Sequence, residues 1–150
     1  MVRDIPLGEI TLRKYEKPYD TNKRELVRKI CLSLGLLQPG DSRDNIVDIL
    51  LVLEEARKQK TMISSFEIRD RVDALRKENS LESKGLAESN IRRQLKRLRD
   101  AMLVEKMENK YRLSEFSNLS EIFSTKIERF LVPQIIERIK EYLAKLDSFQ

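Results

Sequence analysis

Histidine is absent from this 150-residue chain, and that absence excludes more chemistry than any other feature of its composition. Without an imidazole there is no Ser-His-Asp triad, no histidine general base and none of the usual zinc sites. The single cysteine, Cys31, excludes a disulfide within one chain. Lying between Ile30 and Leu32, it reads as a small core residue and not as a reactive thiol. The four glycines, Gly8, Gly35, Gly40 and Gly85, are too scattered to build a phosphate loop. No apolar run reaches the length of a membrane span, and Met1-Val2-Arg3-Asp4 lacks a signal-peptide core. A cytoplasmic protein without membrane contact is therefore expected. Clustered carboxylates of the kind a metal-dependent nuclease needs are also missing. Asp41, Asp44 and Asp48, with Glu54 and Glu55, read as a helix cap and a solvated helix end. No metal, cofactor or catalytic residue is expected.

What remains is a highly charged, helix-favouring sequence. Charged residues make up 37% of the chain against four prolines and four glycines, so regular structure is expected over disorder. The formal net charge of +5 says little by itself, because 25 acids are interspersed among 30 bases. Placement says more. From Ile91 to Arg99 there are five bases and no acid.

That stretch reads as one helix with two unlike faces. Ile91, Leu95, Leu98 and Met102 recur at i, i+4, i+7 and i+11, one stripe of a 3.6-residue period. At about 100° per residue, Ser89, Arg93 and Lys96 lie opposite, flanked by Arg92 and Arg97, with Asn90 on the Arg97 edge. Apolar anchorage behind and phosphate and base-edge donors in front are what a helix entering a DNA major groove requires. Downstream, Leu103 to Leu113 alternates in two short runs around Glu108-Asn109, a turn site because Asn tolerates positive φ. The resulting hairpin carries Lys106, Lys110 and Arg112, and Tyr111 either packs inward or touches a phosphate. Upstream, Ser64-Ser65-Phe66-Glu67 is a capping box opening a helix with Phe66, Ile68, Val72 and Leu75 as its apolar positions. Thr61-Met62-Ile63 before it fits a single edge strand.

With these elements in order, the run GLAESNIRRQLKRLRDAMLVEKMENKYRLSE resembles the recognition-helix-and-wing segment of winged-helix DNA-binding domains in prokaryotic transcriptional regulators, including relatives of multiple-antibiotic-resistance repressors. The resemblance rests on Ser89 near the helix start, Ile91 two later, the Leu95/Leu98 pair and the Leu103-Val104-Glu105 strand start. It implies helix 43–59, strand 61–63, helix 65–77, recognition helix 87–101 and hairpin wing 103–113. Two departures stand out: Met102 occupies the usual glycine position before the strand, and the 78–84 linker is long.

Around this core the sequence adds extensions. Residues 1–42 form an N-terminal extension and helix, with Ile10-Thr11-Leu12 as a strand candidate and a helix from an Asp20 or Thr21 cap to Leu34, stopped by Gly35. Leu36 and Leu37 tuck into the core. Residues 43–114 are the winged-helix domain. Its first helix, capped by Asp41 or Ser42, is apolar from Ile46 to Leu53 except at Asp48, and so must be covered on more than one side. Residues 115–150 are a C-terminal helical segment in which Pro133 should start a new helix or introduce a kink. Val132, Ile135, Ile136, Ile139, Leu143 and Leu146 form a heptad-spaced stripe for dimerisation, the other covering surface being the 21–34 helix of the same chain.

The expected fold is mainly α with a small β-hairpin wing: a winged helix-turn-helix core with N- and C-terminal helical extensions. The expected function is a sequence-specific, double-stranded DNA-binding regulator, acting as a homodimer on a palindromic site. Ser89, Asn90, Arg93 and Arg97 lie nearest the bases. Arg92, Lys96 and Arg99, with Lys106, Lys110 and Arg112, mainly contact phosphates. The alternative is a winged-helix protein-interaction module of a larger nucleoprotein or replication assembly, since fold alone does not decide between the two.

Overall fold

An extended arm leads into α1 (Lys23–Ser33) in a computed structural model that describes residues 4–150. No strand forms at Ile10-Thr11-Leu12, because the arm lies against the end of a helix, where loose carbonyls and not a strand edge await a donor. The Arg13 amide donates to Ser33 O at 2.8 Å, and its guanidinium donates to Leu32 O at 2.8 Å and Leu37 O at 3.2 Å. The cap of α1 is Asn22 and not Asp20 or Thr21: its backbone is extended and its side chain accepts from the Glu25 amide at 2.9 Å. Gly35 has a φ of +71°, and a Cβ there would sit 2.4 Å from the Thr11 Cβ, so both conformation and close approach demand glycine.

α2 (Asn45–Lys58) is the central helix. Ile46, Val47, Ile49, Leu50, Val52 and Leu53 are all buried, covered by α1 on one side and by α3 (Ser65–Glu78) on another. Each such side chain contributes about 1.5–3 kcal/mol relative to exposure. Neither Asp41 nor Ser42 caps this helix; the residue before it is Asp44, whose side chain makes no cap bond. Asp44 instead faces Arg24 and Arg76, each at 3.0 Å, and Arg28 at 3.6 Å. Asp48, also read as part of a cap or solvated end, is fully buried and paired with Arg76 at 2.6 Å and with Arg24. A charge inside an apolar helix must be paired, and this one draws α1, α2 and α3 together.

β1 (Ile63–Ser64) sits slightly later than expected. In α3 the Ser64 side chain accepts from the Glu67 amide at 3.2 Å, but the Glu67 carboxylate pairs with Arg71 at 2.9 Å and does not reach back. Phe66 is 59% exposed and not a core residue. It lies about 200° around the helix from Ile68, and Ile68 and Val72 take the buried face. α4 (Glu88–Asp100) follows, then β2 (Val104–Met107) and β3 (Lys110–Leu113). The sheet is antiparallel in the order β1-β3-β2. Met107 pairs with Lys110 across a two-residue turn in which Glu108 and Asn109 both have positive φ, as a tight primed turn requires.

The C-terminal segment runs through α5 (Leu119–Ile122), a π-helical stretch (Phe123–Leu131) and α6 (Val132–Asp147). Pro133 stands in the first turn of α6, where the winding changes from π to α, and Leu131 and Val132 before it keep helical dihedrals, so the change comes without a break in the helical path. The wider turns immediately before Pro133 absorb the missing amide and the ring clash. Ile122 and Ile127 are buried, whereas no residue of α6 is. The chain is thus mainly helical with a small three-stranded antiparallel sheet. No helix among the described residues is long and apolar enough to cross a membrane.

Candidate nucleic-acid interface

α4 is anchored by Ile91, Leu95 and Leu98, all fully buried, and packs against α3 and β2. Its entry is tied down by the long linker before it. The Arg76 guanidinium donates to Glu82 O at 2.5 Å, Asn45 Nδ2 to Lys84 O at 2.6 Å and Asn90 Nδ2 to Gly85 O at 2.6 Å. Gly85, at φ +76°, lies where the Asn45 and Asn90 amides converge. Ser65 Oγ donates to Glu88 Oε1 at 3.0 Å and joins the starts of α3 and α4. At the exit, the Leu103 amide donates to Leu98 O at 3.0 Å and the Met102 amide to Arg99 O at 2.9 Å, a Schellman closure. Met102 adopts φ +66°, the left-handed position at which glycine was the expected residue, so the helix stops as it would with glycine.

The ten sequence-selected residues separate into two groups. Ser89, Arg92, Arg93, Lys96 and Arg99 are exposed on α4, and Lys106 and Lys110 are exposed on the hairpin. Within the first group, Arg92 lies 3.9 Å from Glu88 and Lys96 3.1 Å from Asp100, loose i,i+4 pairs on an exposed face. Asn90, Arg97 and Arg112 form the second group, held within the fold. Asn90 is occupied at Gly85. Arg97, half-buried, donates to Leu36 O at 2.8 Å and to Gln94 Oε1 at 2.8 Å. Arg112 donates to Glu105 at 2.8 Å and lies over the Phe116 ring at 4.7 Å. Glu105 also accepts from Ser114 Oγ at 3.1 Å and the Glu115 amide at 3.3 Å. Burial pushes this carboxyl up, but those three donors outweigh it and hold it below its ordinary value. Tyr111 is buried and packs inward.

Sequence reasoning missed two features. The first is the Asp44/Asp48/Arg24/Arg76 network, signalled by a lone acid in an apolar helix. Burial raises the Asp44 carboxyl, and hydrogen bonds from Arg76 and Arg24 more than reverse this, leaving it below its ordinary value. The second is a cleft of about 440 Å³ between α4 and the approach to α2, into which Arg43 and Arg93 both open. Arg43 precedes its helix, so no periodicity marks it. Cys31 is fully buried, and burial pushes its thiol up to about 12, as befits an inert core residue. Among the described residues no group of three or more Cys, Asp or Glu side chains is placed to hold a metal ion. No protein-family model, curated protein or solved structure matches this chain.

Proposed function

We propose that this chain is a winged-helix, sequence-specific double-stranded DNA-binding regulator that works as a homodimer. The observation that carries the reading is the exposed cationic face of α4, backed by three fully buried apolar residues and followed by a basic hairpin. Arg93, with Ser89 beside it, is the side chain best placed to read base edges, and arginine matches guanine with two hydrogen bonds. Arg92, Lys96, Arg99, Lys106 and Lys110 supply phosphate contacts, which set register and affinity. Asn90, Arg97 and Arg112 act from behind by holding the helix entry, its last turn and the hairpin. α6 supports the pairing: Ile136, Ile139, Leu143 and Leu146 are all exposed, forming an apolar stripe that none of the described residues buries. A two-fold dimer reads half-sites roughly 10–10.5 base pairs apart, or a multiple of that.

Selection of bound duplexes from a random pool tests binding, specificity and palindromy together. A recovered palindrome that Arg93→Ala no longer distinguishes from random sequence is the expected result. No gel shift of random duplex DNA at low salt would instead favour the protein-interaction module, with α4 facing an acidic partner.

A further inference from the structure

The cleft beside α4 is lined by three arginines: Arg97, already tied to the Leu36 carbonyl, and Arg43 and Arg93 from distant parts of the chain. Asn90, Arg93 and Gln94 form one wall, and Ser42 and Arg43 belong to the other, with Asp41 the one carboxylate in the lining. Arg43 and Arg93 are exposed, and neither has a carboxylate partner among the described residues, unlike Arg92 and Lys96. Asp41 is engaged locally, accepting from the Gln38 amide at 2.9 Å. α2, fourteen residues long, starts here without a side-chain cap, since Asp44 is drawn into the buried ion network. Two exposed guanidinium groups without a carboxylate partner, with the exposed Ser42 beside them and Asp41 as the one carboxylate, give the cleft a net cationic lining suited to an anion.

We propose that this cleft grips one backbone phosphodiester of the duplex bound by α4, with Arg43 as a phosphate contact outside the helix and hairpin. The proposal rests on the DNA-binding reading. A helix lying in a major groove is bordered by the sugar-phosphate backbone, so a cation beside its edge meets phosphate and not base. Arg43 therefore adds affinity and register without adding sequence preference.

The test is fluorescence anisotropy of the full chain with a cognate and a random 20-base-pair duplex, titrated with salt. Arg43→Ala is expected to weaken binding to both duplexes alike and to lower the slope of log K against log salt by about one unit. Arg43→Lys is expected to keep the slope, as is Lys58→Ala at the far end of α2. A steep wild-type slope that Arg43→Ala leaves unchanged overturns the proposal and leaves the DNA reading intact. So does binding of inorganic phosphate that depends on Arg43 while the DNA slope does not, which makes the cleft a small-anion site. A wild type that binds neither duplex at low salt overturns the DNA reading itself.

Discussion

The Arg97 guanidinium donates to the Leu36 carbonyl at 2.8 Å, joining the last turn of α4 to the chain just beyond α1. A residue that looks on a helical wheel like a second base reader is a strut between two helices. Its neighbour four residues earlier, Arg93, is left to face solvent.

Arg97→Ala should therefore lower stability by about 1.5–3 kcal/mol, nearer the lower end because the group is half exposed. Arg93→Ala should leave stability within about 0.5 kcal/mol and instead erase roughly 1–3 kcal/mol of discrimination between cognate and mismatched DNA. Urea denaturation and competition binding read the two effects separately. The reverse pattern would exchange the roles assigned to these arginines.

Asp48→Ala should cost about 3–5 kcal/mol, because it strands Arg24 and Arg76 without their buried partner. Lys96→Ala removes an exposed pair with Asp100 and should cost under about 0.5 kcal/mol. Comparable midpoints for the two variants would show that the network does not hold α1, α2 and α3 together.

Stability should hold level from about pH 5 to 8, since no histidine titrates there. Asp44 and Glu105 are both held below their ordinary values in the folded protein. Below roughly pH 4.5 the unfolded chain binds more protons than the folded one. Their contribution is present above that point and is lost as pH falls through the folded values. Thermal melts at successive pH values check this; a step in stability near pH 6.5 would contradict it.

Ile139 is 52% exposed and Leu146 66% exposed at the centre and end of the α6 stripe. Light scattering should find twice the 17.7 kDa chain mass for the wild type and a single chain for Ile139→Asp or Leu146→Asp. The monomeric variants should still fold, because α6 contributes no buried residue to the core, and should melt lower only by what dimerisation adds to stability. A wild type that stays monomeric at high concentration removes the dimer from the proposal.

Local patterns carried much of this architecture. The Ile91, Leu95 and Leu98 stripe, the Glu108-Asn109 turn, the Ser64 cap and the apolar run of α2 follow from periodicity and turn chemistry acting within a few residues. Tertiary contact decided the rest. Asp44 is a helix boundary by sequence, but three arginines from α1 and α3 reach it before its own amides do. Phe66 and Ile68 are both apolar, and only the position of α3 against α2 chose which one to bury. Met102 is no turn residue by propensity; Leu103 and the hairpin beyond it hold it in a left-handed conformation. Composition placed five cations on α4, and the carbonyls at the exit of α1 took Arg97 out of that set. Charge along a helix is written in its spacing, whereas which charges remain free depends on partners that folding brings from up to 62 residues away.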